Sequence, residues 1–263
     1  MADTESRIGV KKKRGKGQAD EARMPFTAHL EELRSRLIKS VLAVIAAFAV
    51  CFAFSETLFA LLTAPLLRFQ TPGLALIGTG VAEAFLTKMK VGFIAAIIVA
   101  FPVILWQGWQ FIAPGLYEHE KYYARFFVVC GTLFFLLGAW FCYAAIFQVG
   151  YSFFLRRYEA LGVRPAIRIS EYLSFAAKLL LAFGIAFELP VAAYFLARVG
   201  LIDHRFLIRQ FRYAILLILV VAAVLTPPDI FSQILLAIPL TVLYGISIGA
   251  AYLGRQKPVN SQS

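Results

Sequence analysis

Six apolar stretches leave this chain almost no choice of fold. Uncharged runs occupy Val41–Phe54 (extended back by Leu37–Ser40), Val91–Ala113, Phe126–Leu155, Tyr213–Pro228 and Ile230–Gly254. A sixth, Tyr172–Ala197, is broken only by Lys178 and Glu188. Spanning the hydrocarbon core of a bilayer takes about 20 apolar residues in a helix. Outer-membrane strands would instead alternate apolar and polar residues in short segments, and no such alternation is present. The expectation is an all-α, polytopic membrane protein with six transmembrane helices. Composition agrees: 60% of residues are hydrophobic, 25 are Phe and the mean hydropathy is +0.76, beyond what a soluble domain of this length needs. The run ending at Pro228 has 16 uncharged residues, about 24 Å of helix. The fifth span should therefore thin the bilayer locally or leave polar residues at depth.

Basic residues set the expected orientation, because cytoplasmic loops carry the excess of Lys and Arg. With the N-terminus inside, eighteen of them fall on the cytoplasmic side and seven on the far side, with Lys178 within a span. Both termini are thus expected in the cytoplasm. The net charge of +11 reads as topology plus attraction to anionic lipid head groups. Nucleic-acid binding is a poor alternative, since the basic run Lys11–Lys16 has no aromatic interleaving or recognisable domain around it. Residues 1–23 are polar and Lys-rich, and are expected to form a disordered cytoplasmic arm. Residues 24–254 form the six-helix domain and residues 255–263 a cytoplasmic tail. Asp3, Glu5, Asp20 and Glu21 argue against an organellar transit peptide, and no cleavable signal is visible.

Catalytic chemistry finds no foothold. No Gly-rich phosphate loop ends in Gly-Lys-Ser/Thr, since Lys16 is followed by Gly17. His29, His119 and His204 lie outside the apolar runs, so paired axial haem ligands are missing. A serine-type triad lacks its placed histidine and its nucleophile turn. Cys51, Cys130 and Cys142 fall inside spans at no metal-ligand spacing. The reading is not an enzyme, with no metal and no cofactor.

Polar groups in awkward places remain. HLEELRSRL, residues 29–37, sits at the mouth of the first span with Glu31, Glu32, Arg34 and Arg36. Glu32 and Arg36 are four apart, acid first, the favourable order for a helical pair. The run is either a solvated helix start or a carboxylate held at the membrane surface to dock something cationic. FIAPGLYEHEK, residues 111–121, turns the chain at Pro114 and Gly115 and brings Glu118 and Glu120 to the same surface. Trp106, Trp109 and Tyr117 are expected to form an interfacial aromatic belt there. Glu188 lies mid-span in FGIAFELP, two residues before Pro190. A charge at that depth is expensive, about 2.5–3.5 kcal/mol on insertion scales. It faces a cavity or partner, is neutralised, or draws water inward; Lys178 stands ten residues away, about 15 Å along one straight helix, too far for a direct pair. LTPPDIFSQ, residues 225–233, breaks the last two spans, and Asp229 is placed to cap the helix that follows.

HLEELRSRL, FIAPGLYEHE, FGIAFELP and LTPPDIFSQILLAIP, in that order, resemble the TatC family, the multi-spanning receptor subunit of the twin-arginine protein translocase. The resemblance runs from about Met24 to Gly254. It implies a cupped fold with short fifth and sixth helices, in the bacterial cytoplasmic (inner) membrane. It implies Sec-independent export of folded proteins, driven by the proton motive force, with the single-span partners TatA and TatB and with further copies of itself in the receptor complex. Matched residue by residue, the family's signal-peptide site falls on Glu32, Leu33, Arg34, Arg36, His119 and Glu120, with Phe111 as the aromatic before the Ile-Ala-Pro turn. Pro65 matches a proline of the first far-side loop, Glu188 the buried acid, and Thr226, Asp229 and Gln233 the hairpin that meets the partner helices. Gly245 departs from the pattern, since many members carry glutamate there.

Two arginines of a signal peptide need paired acceptors, and Glu32 and Glu120 on separate segments could each take one guanidinium. Such charge-assisted bonds contribute roughly 1.5–3 kcal/mol apiece. The competing readings are a proton-coupled small-solute transporter with Glu188 as carrier, and a purely structural scaffold subunit. Transporters of that kind usually show internal repeats, and the two halves of this chain do not resemble each other.

Overall fold

The computed structural model describes residues 26–68, 75–112, 123–226 and 229–255. The expected arm at 1–23, most of the expected tail, and the segment with Tyr117, His119 and Glu120 lie outside the described residues. In chain order the elements are α1 (Phe26–Ala53), α2 (Ser55–Leu67), β1 (Ala75–Ile77), α3 (Glu83–Ile112) and α4 (Tyr123–Phe141). A π-helical turn at Cys142–Ile146 joins α4 to α5 (Phe147–Ala160). Then come β2 (Ala166–Arg168), α6 (Ile169–Arg198), α7 (His204–Arg209), α8 (Phe211–Leu225) and α9 (Ile230–Gly254).

Among the described residues, five helical segments are long and apolar enough to cross a membrane: Leu30–Ala53, Glu83–Phe111, Arg125–Ala160, Ile169–Arg198 and Ile230–Gly254. The sixth apolar run is α8, at 15 residues only about 22 Å long. Its shortness follows from Thr226, whose extended backbone stops the helix. The resemblance also implied a short sixth helix, and here the structure differs. α9 runs 25 residues, because Asp229 caps its start and no charge interrupts Ile230–Gly254. Asp229 Oδ2 accepts from the Ser232 N–H at 2.7 Å. Pro65 lies inside α2, buried, rather than in an irregular loop.

The helices form an open row. α1 packs chiefly on α3; α3 packs on α4 and α6; α6 packs on α4 and α9, and α9 carries α8. α6 is the hub, with Leu173, Ala176, Leu180 and Phe183 in the main core. α1, at one end of the row, leaves Leu37, Leu42, Ile45 and Val50 exposed, as expected where lipid rather than water is the solvent. Two three-residue strands, which the apolar pattern does not predict, pair in parallel with Ala75 opposite Ala166 and Ile77 opposite Arg168. They tie the α2–α3 and α5–α6 connections together at one end of the row. Glu83 fastens the same end: its carboxylate accepts from the Thr79 and Gly80 N–H groups and from the Ser170 N–H at 3.2 Å.

The expected aromatic belt is corrected at Trp109. Its side chain is buried and packs against the rings of Phe127 and Phe195, each with its centroid 4.7 Å away. Burial against two aromatic neighbours outweighs an interfacial position for the indole.

Close helix contact between α4 and α6 depends on glycine, as is common where lipid supplies no hydrophobic drive and backbones must approach. A Cβ at Gly138 would lie 2.5 Å from the Phe183 carbonyl oxygen, which a packed helix cannot move. At Gly245 it would meet nothing within 4 Å. Gly138→Leu should therefore lower the thermal unfolding midpoint of purified protein by about 5–10 °C, and Gly245→Leu should leave it within about 2 °C.

Candidate functional site

The end of the row opposite the β ladder gathers the residues that begin α1 and end α3. α3 starts at the ladder end, so its last two turns lie at the other. There Arg36 of α1 joins two helices. Its Nη2 donates to Glu32 Oε1 at 3.2 Å, and its Nη1 donates to Gln107 Oε1 at 3.4 Å and to Gln110 Oε1. The expected Glu32–Arg36 pair thus forms, with about a quarter of each side chain exposed. It is more than a surface pair: two amides of α3 hold the guanidinium, and the guanidinium holds one oxygen of the carboxylate. Hydrogen bonds to a charged group contribute about 1.5–3 kcal/mol, against a few tenths for an exposed i,i+4 pair.

Leu33 and Arg34 face outward on the same helix, both exposed. Phe111 follows Gln110 directly and is partly buried. The structure therefore brings Glu32, Arg36 and the α3 end bearing Phe111 to one place, while His119 and Glu120 lie outside the described residues. Gln107 and Gln110 were not singled out from sequence. The signal was available, since they are the two hydrogen-bonding amides in the otherwise apolar run Val91–Ala113, three apart and so on one helical face.

Glu188 occupies a second place. It lies on α6 ten residues before Arg198, about 15 Å from that end of the helix. Both carboxylate oxygens are shielded and have no hydrogen-bond partner among the described residues. A Cβ built on Gly131 of α4 would lie 2.8 Å from Glu188 Oε2 and 2.5 Å from Leu105 Cδ2 of α3. The acid therefore sits in the seam between α6, α4 and α3, enclosed by apolar groups. Its pairing with Lys178 does not occur; Lys178 is exposed. α6 continues through Pro190, so the proline near the acid does not end the helix.

The α8–α9 turn is a third place. Thr226 Oγ1 donates back to the Ala222 carbonyl at 2.8 Å, and the Gln233 amide donates to the Leu219 carbonyl of α8 at 3.0 Å. Asp229 accepts from the Ser232 N–H and hydroxyl. Of these bonds, that of Gln233 crosses from α9 to α8, while Thr226 bonds back within α8 and Asp229 caps the start of α9. The turn packs at the level of Phe175 and Leu179 of α6, about 9–15 Å short of that helix's start. Pro65 lies inside α2, next to Leu66 of the main core. Among the described residues no group of three or more His, Cys, Asp or Glu could hold a metal, and the three cysteines are free.

Comparison with known proteins gives this arrangement a family. The profile described as Sec-independent protein translocase protein (TatC) matches residues 28–239. The TatC protein of Desulforapulum autotrophicum is 44% identical over 239 residues, covering 90% of this chain and 88% of its own length. That of Helicobacter pylori strain 26695 is 42% identical over 235 residues, covering 89% and 90%. A crystal structure described as the twin-arginine translocase receptor TatC superposes with a TM-score of 0.79 at 37% identity, covering 86% of this chain and 99% of that one. The chain belongs to the TatC family of Sec-independent protein translocase proteins.

Proposed function

We propose that this chain is the signal-peptide receptor of a twin-arginine translocase, and that Glu32 and Glu120 receive the two arginines at its cytoplasmic face. The observation that carries this reading is the Arg36 cluster. Gln107 and Gln110 anchor Arg36, and Arg36 orients Glu32, so the carboxylate is placed before a ligand arrives. A preset acceptor spends less ordering entropy on binding. Leu33 and Arg34 line the outward face beside it, Phe111 supplies an apolar contact for the residues after the arginines, and His119 stands next to Glu120 in the sequence. Arg34 and Arg36 also repel misplaced cations. A lysine in the signal could not form the two-pronged contact of arginine with a carboxylate.

In this reading the chain is a multi-pass protein of the bacterial cytoplasmic membrane, and α8 completes six crossings. Its termini, with the basic arm and tail, face the cytoplasm, and the β ladder faces the far side. TatA and TatB dock along the hairpin of Thr226, Asp229 and Gln233 and near Glu188, and several copies of the chain share the receptor complex. Transport of folded cargo then follows, driven by the proton motive force. The small-solute transporter reading is set aside, because the family is one of protein translocases and Glu188 lies enclosed against Gly131 and Leu105.

The test is photo-crosslinking with probes at positions 32, 107 and 120 in membranes supplied with a twin-arginine precursor. Adducts are expected at all three positions, lost when the precursor carries Lys-Lys. Equal adducts with the Lys-Lys precursor would place recognition elsewhere.

A further inference from the structure

Two lysines lie at the β-ladder end of the row, Lys90 at the edge of the apolar run Val91–Ala113 and Lys178 inside that of α6, and nothing in the receptor reading uses them. Lys90 is seven residues into α3 and Lys178 nine residues into α6, about 10 and 14 Å from the helix starts. Both are exposed. They share one neighbourhood: Lys90 Nζ donates to Ser174 Oγ at 3.1 Å, and Ser174 stands one turn before Lys178 on the same face of α6. Ser174 spends its own proton on the Ser170 carbonyl, at 2.6 Å, so it serves Lys90 only as an acceptor. An ammonium carries three donors, which leaves two on Lys90. The carboxylates nearby are committed: Glu56 to Lys88, Glu171 to Arg168, and Glu83 to backbone N–H groups of the loop and of Ser170. No carboxylate pairs with Lys90 or Lys178 among the described residues.

An apolar groove of about 470 Å³ opens directly beside Lys90. Val44, Ile45 and Phe48 of α1 form one wall, and Leu86, Met89 and Phe93 of α3 the other. We propose that Lys90, Ser174 and Lys178 hold the phosphate of an anionic phospholipid, with one acyl chain lying in the groove between α1 and α3. Charge and shape agree on this occupant. A cation within a leaflet draws a head group toward it or reaches outward along its own stem. An apolar trough running from that cation matches a lipid tail and not a free anion. Hydrophobic mismatch helps, because the α8–α9 turn ends at the depth of Phe175 and Leu179, next to Lys178 in the sequence. A short helix thins the bilayer around it, which brings head groups down to the level of the lysines.

The full-length protein would be purified in detergent and titrated with phosphatidylglycerol or with phosphatidylcholine of the same acyl chains, and bound lipid counted by native mass spectrometry. Wild type should prefer phosphatidylglycerol. Lys90→Gln and Lys178→Gln should each weaken that lipid about fivefold, the size of one cation's attraction to an anionic surface, and the double variant roughly 20- to 30-fold. Lys90→Arg with Lys178→Arg should keep the preference, and Arg164→Gln, which removes an exposed charge from the same end, should not alter it. Ile45→Trp should weaken both lipids by filling the groove, and glycerol phosphate without tails should not compete. Phosphatidylglycerol binding by the double Gln variant equal to wild type would overturn the proposal. So would an equal loss from Arg164→Gln, which would reduce the site to general surface charge. Thermal unfolding in phosphatidylcholine, expected to be unchanged in the double variant, separates lost binding from lost fold.

Discussion

Glu120→Arg should abolish capture of twin-arginine precursors, and it should do so with the fold intact. Losing one charge-assisted contact of about 1.5–3 kcal/mol weakens binding by roughly 10- to 100-fold, and the new cation adds direct repulsion. Glu120→Gln should weaken capture less, because the amide oxygen still accepts one bond. Glu32→Arg is expected to do more than remove an acceptor. It places a second guanidinium beside Arg36, whose Nη2 now donates to Glu32, and so disturbs the bonds to Gln107 and Gln110 as well. Arg36→Ala offers a finer probe: it leaves Glu32 in the chain but frees its side chain, and should cut affinity by about tenfold through lost orientation. Raising salt should weaken wild-type capture, since a surface site is screened within about 8–10 Å. The measurement is precursor binding to inverted membrane vesicles at matched protein levels. Capture by Glu120→Arg at the wild-type level would sink the paired-carboxylate site.

Glu188→Leu should raise stability and lower transport together. Both oxygens of Glu188 are shielded without a partner among the described residues, and a buried polar group left unsatisfied costs about 1–3 kcal/mol. Leucine is similar in size and suits a seam formed by Gly131, Leu105 and α6. The unfolding midpoint should rise by about 2–8 °C. If the acid recruits the single-span partners, export of a folded reporter should fall severalfold while precursor capture at the Arg36 cluster stays near wild type. Gly131→Ala is a useful companion, because its Cβ would press on both Glu188 Oε2 and Leu105. It should impair export without removing the acid. A Glu188→Leu protein that is more stable and exports normally would make the carboxylate a tolerated defect in packing.

The hairpin residues need a different experiment from the one their sequence suggests. Thr226 and Gln233 look like free donors for a partner helix, yet each bonds within the hairpin. Removing either alters the turn as well as any contact made through it.

Membrane character, the number of apolar runs, the short α8 and the Asp229 cap were all legible in the sequence, because each depends on local chemistry. Helix length follows from the distance between breakers, and capping from residues three apart. The Glu32–Arg36 pair was legible for the same reason. What the sequence could not decide was contact between helices. Gln107 and Gln110 matter only because α1 lays Arg36 against α3, and Trp109 leaves the interface only because Phe127 and Phe195 arrive from α4 and α6. The β ladder was invisible, since three-residue strands have too few positions to show a period of two. The acid at 188 could be read as out of place, but its enclosure could not. Only the packing of α3, α4 and α6 sets Gly131 and Leu105 against that carboxylate, and only the register of α3 against α6 puts Lys90 within 3.1 Å of Ser174. Side-chain periodicity tells a helix which face is apolar. Which neighbour covers that face is decided by the summed fit of all the helices at once.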